Sequence, residues 1–254
     1  MHFTLDVSWL SAFLLAMTRA TAWLFVAPPF NTSGIPKTVR LGFGMALGLF
    51  IAPHFQTGIT MNSSFEFIGA IVYQAGIGVA MGFGVYLLIT AVQSAGALID
   101  FSAGFSSASV YDPFSNASST PIARFYQMLA IAILFASQGH LLILRGFLLS
   151  FDHGAAPQGG TSIEQIGKIL AFDVSTYFAA ALQMAIPMLA ALFLAEIALG
   201  LVSKATPQIN LLPLSFGVKM GAVLLLCGLA IKILPASLYQ LVQQASDTMM
   251  ALGR

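Results

Sequence analysis

Thirty-three consecutive residues, Phe67 to Ile99, pass without one Asp, Glu, Lys or Arg. In lipid only helices or closed barrels satisfy their own backbone groups, and this run lacks the alternation of a barrel strand, so a helix is expected. As one helix it would be about 50 Å long against a hydrocarbon core of about 30 Å. It must tilt, break into a hairpin or leave the bilayer. Glycines at 69, 76, 78, 82, 84 and 96 supply either break points or close-packing positions. Other apolar runs at roughly 8–30, 39–55, 122–150, 171–200 and 214–235 bring the expectation to about six long, kinked helices. Pro187 should kink the fifth run and Pro235 should end the sixth.

Composition agrees with an all-α integral membrane-type fold. The chain is 58% hydrophobic and 7% charged, whereas a soluble domain carries roughly 25% charged residues. A net charge of +1 with no Lys/Arg cluster speaks against a nucleic-acid partner. The single cysteine, Cys227, has no intrachain partner and reads as a small packed side chain. The apolar stretch from Val7 to Ala27 has no basic residue before it, Asp6 is acidic and Arg19 interrupts it, so it is expected to stay in the mature protein rather than act as a cleaved signal. Alternating six spans puts Arg145, Lys168 and Arg254 on one side and Lys37, Arg40, Arg124 and Lys204 on the other. That near balance argues against simple alternating topology. Three G-x-x-x-G patterns, Gly44/Gly48, Gly78/Gly82 and Gly217/Gly221, let another backbone approach closely, either within the chain or from a partner subunit.

Two segments break the apolar pattern with groups lipid does not tolerate. In Ala195–Lys219, the residues Glu196, Lys204, Pro207, Gln208, Asn210, Pro213 and Lys219 lie between or beside hydrophobic runs. Ionisable groups there mark a site or an assembly contact, and charge pairing that locks helices or subunits is favoured over proton transfer for Glu196, Lys204 and Lys219. Arg19 likewise reads as a buried assembly contact, because a lone arginine in lipid costs at least a few kcal/mol. The second segment, Asp100 to Pro121, holds seven serines with Phe101, Phe105, Tyr111 and Phe114 among them. One reading is a floppy aqueous loop. The other is a plug: aromatic residues have no place in a solvated linker, but packed together they close an aperture by excluding water. In that case Phe105, Tyr111 and Phe114 form an apolar constriction, supported by a turn at Asp112-Pro113.

The order Glu196-x-x-x-Gly200-x-x-x-Lys204-x-x-Pro207-Gln208-x-Asn210 resembles the FliR/SctT/SpaR family of type III secretion export-gate proteins. So does the loop order Gly104, Phe105, Ser106, Ala108, Tyr111, Asp112, Pro113. Further matches are Arg19 with Pro28, Pro36 with Lys37 and Arg40, Pro53, and the stretch with Gln138, Gly139, His140, Ser150 and Phe151. The resemblance therefore covers almost the whole chain. Departures are Lys204, where arginine is common and would bond bidentately, and the missing proline directly after Ser150-Phe151.

The resemblance implies one export-gate domain over residues 1–254, with residues 101–121 as the pore plug loop. It also implies FliP-like and FliQ-like helix packing, in a hetero-oligomeric ring with FliP and FliQ subunits and with FlhB beside it. Unfolded flagellar proteins would pass the pore, in the bacterial inner membrane, with no cofactor and no enzymatic activity. An injectisome homologue is the close alternative.

Rival chemistries find little support. His2, His54, His140 and His153 are scattered, without H-E-x-x-H or Cys/His spacing, and no G-x-x-x-x-G-K-[ST] motif is present. A secondary transporter with Arg19, Asp100, Glu196 and Lys219 as a relay is the serious alternative, although no paired repeat is visible.

Overall fold

The computed structural model describes residues 7–32, 34–53, 55, 64–105, 120–152, 161–206 and 211–253. The described residues form seven helices and no strand: α1 Val7–Val26, α2 Lys37–Ile51, α3 Ser64–Ala103, α4 Pro121–Ala136, α5 Gly139–Leu149, α6 Ile163–Ala205 and α7 Leu211–Leu252. Three are long and apolar enough to cross a membrane, over Ser8–Val26, Ser64–Ala103 and Ile163–Ala205, or four if α4 and α5 count as one broken span. Each of the six expected apolar runs thus carries a helix, though among the described residues fewer than six are long and apolar enough to span. The second run yields a helix of only 15 residues, and the fourth is interrupted where Gln138 takes a left-handed φ of 58°.

Packing divides the chain into two compact units. One comprises α1, α2, α3 up to Leu88, α5, α6 up to Ser175 and α7 from Leu241; the other comprises α3 from Ile89, α4, α6 from Thr176 and α7 up to Gln240.

In the first unit, α1 is gripped through glycines on both neighbours. A Cβ on Gly48 of α2 would lie 2.9 Å from Met17 Cβ, and one on Gly82 of α3 would lie 2.8 Å from Val26 Cβ. Gly44 and Gly78 press on Thr21 and Arg19 in the same way. Such contacts bring backbones close enough for dispersion to hold helices together where no hydrophobic drive exists. Two of the three G-x-x-x-G pairs therefore pack inside the chain. A Cβ added at Gly217 or Gly221 would meet nothing within 4 Å among the described residues.

The long run of α3 does not break. All 40 residues are one helix, about 60 Å at 1.5 Å per residue. Glycines 78 and 82 in the first unit and 96 in the second serve close approach instead of turning.

Pro235 also fails to end its helix, since α7 continues through it to Leu252. Proline forfeits one backbone bond, and the continuation is repaid by packing: Leu241, Val242, Ala245, Met249 and Leu252 are all buried at helical spacing.

Among the described residues, little covers the apolar part of α6. Only 17% of an 18-residue apolar stretch of α6 is buried, against 61% of the corresponding stretch of α3. Exposed Phe193, Leu194 and Leu201 on α6, and Leu224 and Leu225 on α7, must therefore meet lipid or other protein.

Candidate functional site

In the second unit, one carboxylate closes both ends of the serine-rich loop. Pro121 at the first position of α4 has no N–H, so the first unsatisfied helix donors belong to Ile122 and Ala123. Asp100, fully buried near the end of α3, accepts both: Ile122 N–H donates to Oδ1 at 3.2 Å and Ala123 N–H to Oδ2 at 2.8 Å. Thr120 makes no cap with its own helix; its hydroxyl donates to Asp100 Oδ2. A negative charge on a helix N-terminus is favourable, so the head of α4 suits a carboxylate. The approach is possible because residue 96 is glycine, where a Cβ would sit 2.7 Å from Ala123 Cα.

The same residue finishes α3. The backbone carbonyl of Asp100 accepts from Gly104 N–H at 3.1 Å and Phe105 N–H at 3.0 Å, with Gly104 at φ 89°. This left-handed glycine stop costs little only without a Cβ. Side chain and main chain of Asp100 thus bracket residues 106–119 between two pinned ends.

The loop's first residues also rest on α7. The rings of Phe105 and Phe216 meet edge to face at 6.0 Å. Lys219 Nζ donates to Ser102 O at 3.3 Å and pairs with Glu196 Oε1 of α6 at 2.9 Å. Glu196 stands nine residues before the end of α6 and Lys219 eight after the start of α7, so the pair ties two antiparallel helices about 13 Å below their connection.

Of the residues singled out from sequence, Gly104, Phe105, Glu196 and Lys219 therefore meet at one place, with Phe216, Ser102, Gly96 and Thr120 as additions. Gly96 carried a signal as a possible close-packing glycine and Asp100 as an acid at the edge of an apolar run, whereas Phe216, Ser102 and Thr120 carried none. Ser106, Tyr111, Asp112, Pro113, Phe114, Pro207, Gln208 and Asn210 lie outside the described residues. Lys204 is exposed in the last turn of α6, where a cation offsets the helix dipole.

Arg19 belongs to the first unit, and its side chain is satisfied there. Only 1% exposed, it donates from Nε to Gln74 Oε1 at 2.6 Å and from Nη1 to Ser150 O at 2.9 Å. Phe151 and Phe55 lie against the guanidinium, with ring centroids 4.3 and 5.7 Å away.

The sequence matches the family described as "Bacterial export proteins, family 1" over residues 10–245. This chain belongs to that family. Its similarity extends to the flagellar biosynthetic protein FliR of Bacillus subtilis (strain 168), 30% identical over 246 residues and covering 95% of each chain. FliR of Escherichia coli (strain K12) is 29% identical over 83% of this chain and 80% of its own. The surface presentation of antigens protein SpaR of Salmonella typhimurium is 25% identical over 91% and 88%. The matched span contains every residue of the loop anchorage, so the bacterial export proteins of this family are the frame in which Asp100, Lys219 and Glu196 must be understood.

Lys219 carries a prediction of its own. Lys219→Met should free Ser102 and leave Glu196 unpaired, and adding Glu196→Gln should recover part of the loss. A double-mutant unfolding cycle is expected to give a coupling of about 1 kcal/mol; zero coupling would mean the pair holds nothing.

Proposed function

We propose that this chain is a non-enzymatic subunit of the flagellar type III secretion export gate, helping to form and close the channel through which unfolded flagellar proteins leave the cell. The observation that carries this reading is the double anchorage of the loop by Asp100, in a chain whose relatives are named flagellar biosynthetic proteins. A loop held at both ends by Asp100, whose sequence carries Phe105, Tyr111 and Phe114, has the chemistry of a stopper, since clustered rings close an aperture by excluding water. In this proposal the turn that presents the rings is assigned to Asp112-Pro113, because a residue before proline disfavours the helical region. Wall and stopper roles need no covalent chemistry, and neither cofactor nor nucleic acid enters.

The partners in this reading are FliP and FliQ subunits in a hetero-oligomeric ring, with FlhB beside it in the bacterial inner membrane. The bare apolar face of α6 and the open Gly217/Gly221 pair support a chain covered by neighbouring helices and lipid. Lys204, Pro207, Gln208 and Asn210, at or between the ends of α6 and α7, are the proposed assembly contacts, with Glu196 and Lys219 as the tie behind them. Residues 1–254 act as one export-gate domain with the plug at 101–121. An injectisome gate is the second reading, favoured by the SpaR relatives.

The test is the mass and subunit content of the detergent-extracted complex, with FliP and FliQ coexpressed. One copy of this chain with several of each partner is expected. A homogeneous monomer or dimer without partners would contradict the reading and return Glu196 and Lys219 to a transporter role.

A further inference from the structure

Asp173 of α6 lies in the first unit and is 1% exposed. Its Oδ1 accepts from Thr248 Oγ1 at 3.1 Å and Gln244 Nε2 at 3.3 Å, both on α7. Oδ2 is buried and has no hydrogen-bond partner among the described residues. It faces Gly84 of α3, where a Cβ would stand 3.9 Å from Oδ2 and 3.9 Å from Thr248 Cγ2. The missing side chain at residue 84 thus leaves a gap of about one methyl group beside the bare oxygen.

No cation reaches this carboxyl among the described residues. Lys168, on the same helix, pairs with Glu164 at 2.6 Å, and α3 has no charged residue between Phe67 and Ile99. Asp247 on α7 and Arg145 on α5 are exposed, and Arg19 of α1 is held by Gln74 and Ser150. Tyr73 of α3 donates to Thr161 O, and Tyr86 is exposed.

An ionised carboxylate with one oxygen bare in such surroundings costs far more than a neutral acid with one unpaired hydroxyl. The geometry matches the neutral acid, with a carbonyl Oδ1 that accepts two donors and a hydroxyl Oδ2 standing in the gap. We infer that Asp173 is a proton-binding site, in which a proton from water forms the Oδ2–H bond and its return to water reverses the step. Ionisation would draw water or a donor into the space beside Gly84, so the proton governs how tightly these segments of α3, α6 and α7 close. This inference is independent of the gate reading.

Infrared difference spectroscopy of the purified complex tests it. At neutral pH the wild type should show a carboxylic-acid carbonyl band that Asp173→Asn removes and that fades as pH rises. Thr248→Val, which takes one donor from Oδ1, should move the same band to higher wavenumber, so the assignment survives even if Asp173→Asn fails to fold. A spectrum unchanged by both variants, or one that shows only carboxylate for Asp173, would overturn the inference and leave a bound cation or water as the partner of Oδ2.

Discussion

Asp100→Ala is expected to make the chain between Phe105 and Thr120 at least ten times more susceptible to protease while the rest stays folded. The carboxylate holds two backbone N–H groups and one hydroxyl at the head of α4. Losing a cap of this kind costs about 1–2 kcal/mol, and buried donors left unsatisfied add about 1–3 kcal/mol. Since 1.4 kcal/mol is about tenfold in population, unpinning the loop should be plainly measurable. Asp100→Asn should fall between, because its amide presents a donor toward donors on one side. Limited proteolysis of the purified chain reads both, and equal cleavage of wild type and Asp100→Ala would remove Asp100 from the anchorage.

Arg19→Ala should have the largest effect on stability, about 3–5 kcal/mol, enough to strip most of the chain from the membrane fraction. The change empties the volume between Phe151 and Phe55 and removes the donors that reach Gln74 Oε1 and Ser150 O. Because these partners come from α3 and from the end of α5, one side chain braces three parts of the first unit. Arg19→Lys keeps the charge but loses the planar fork, and should retain an intermediate level. Thermal unfolding of the chain alone separates two roles. Destabilisation without partners marks a brace inside the chain, whereas normal stability alone with poor complex yield would mark a subunit contact.

What sequence conveys here follows the range of the interactions. Helices declared themselves through apolar length, and the small-residue spacing of Gly44/Gly48 and Gly78/Gly82 pointed to tight packing because that signal sits within one helix. The helix ends were less legible. Pro235 has the local character of a terminus, but the buried stripe after it keeps α7 continuous, and Gln138 interrupts α4 and α5 with no proline to announce it. The loop motif and the Glu196 segment were each visible, yet nothing local tied them together, since Lys219 meets Ser102 from 117 residues away. Asp173 was overlooked for the same reason: a single acid in an apolar helix looks the same whether it faces lipid or, as here, Thr248 from 75 residues further on.

In the proposed gate the loop closes a conduit. Ion conductance across bilayers containing the assembled complex, compared between wild type and a deletion of residues Ser106 to Ser118, tests it most directly. Normal assembly in both, with a leak to small ions in the deletion alone, is the expected result. A deleted complex that assembles fully and stays as tight as wild type would contradict it.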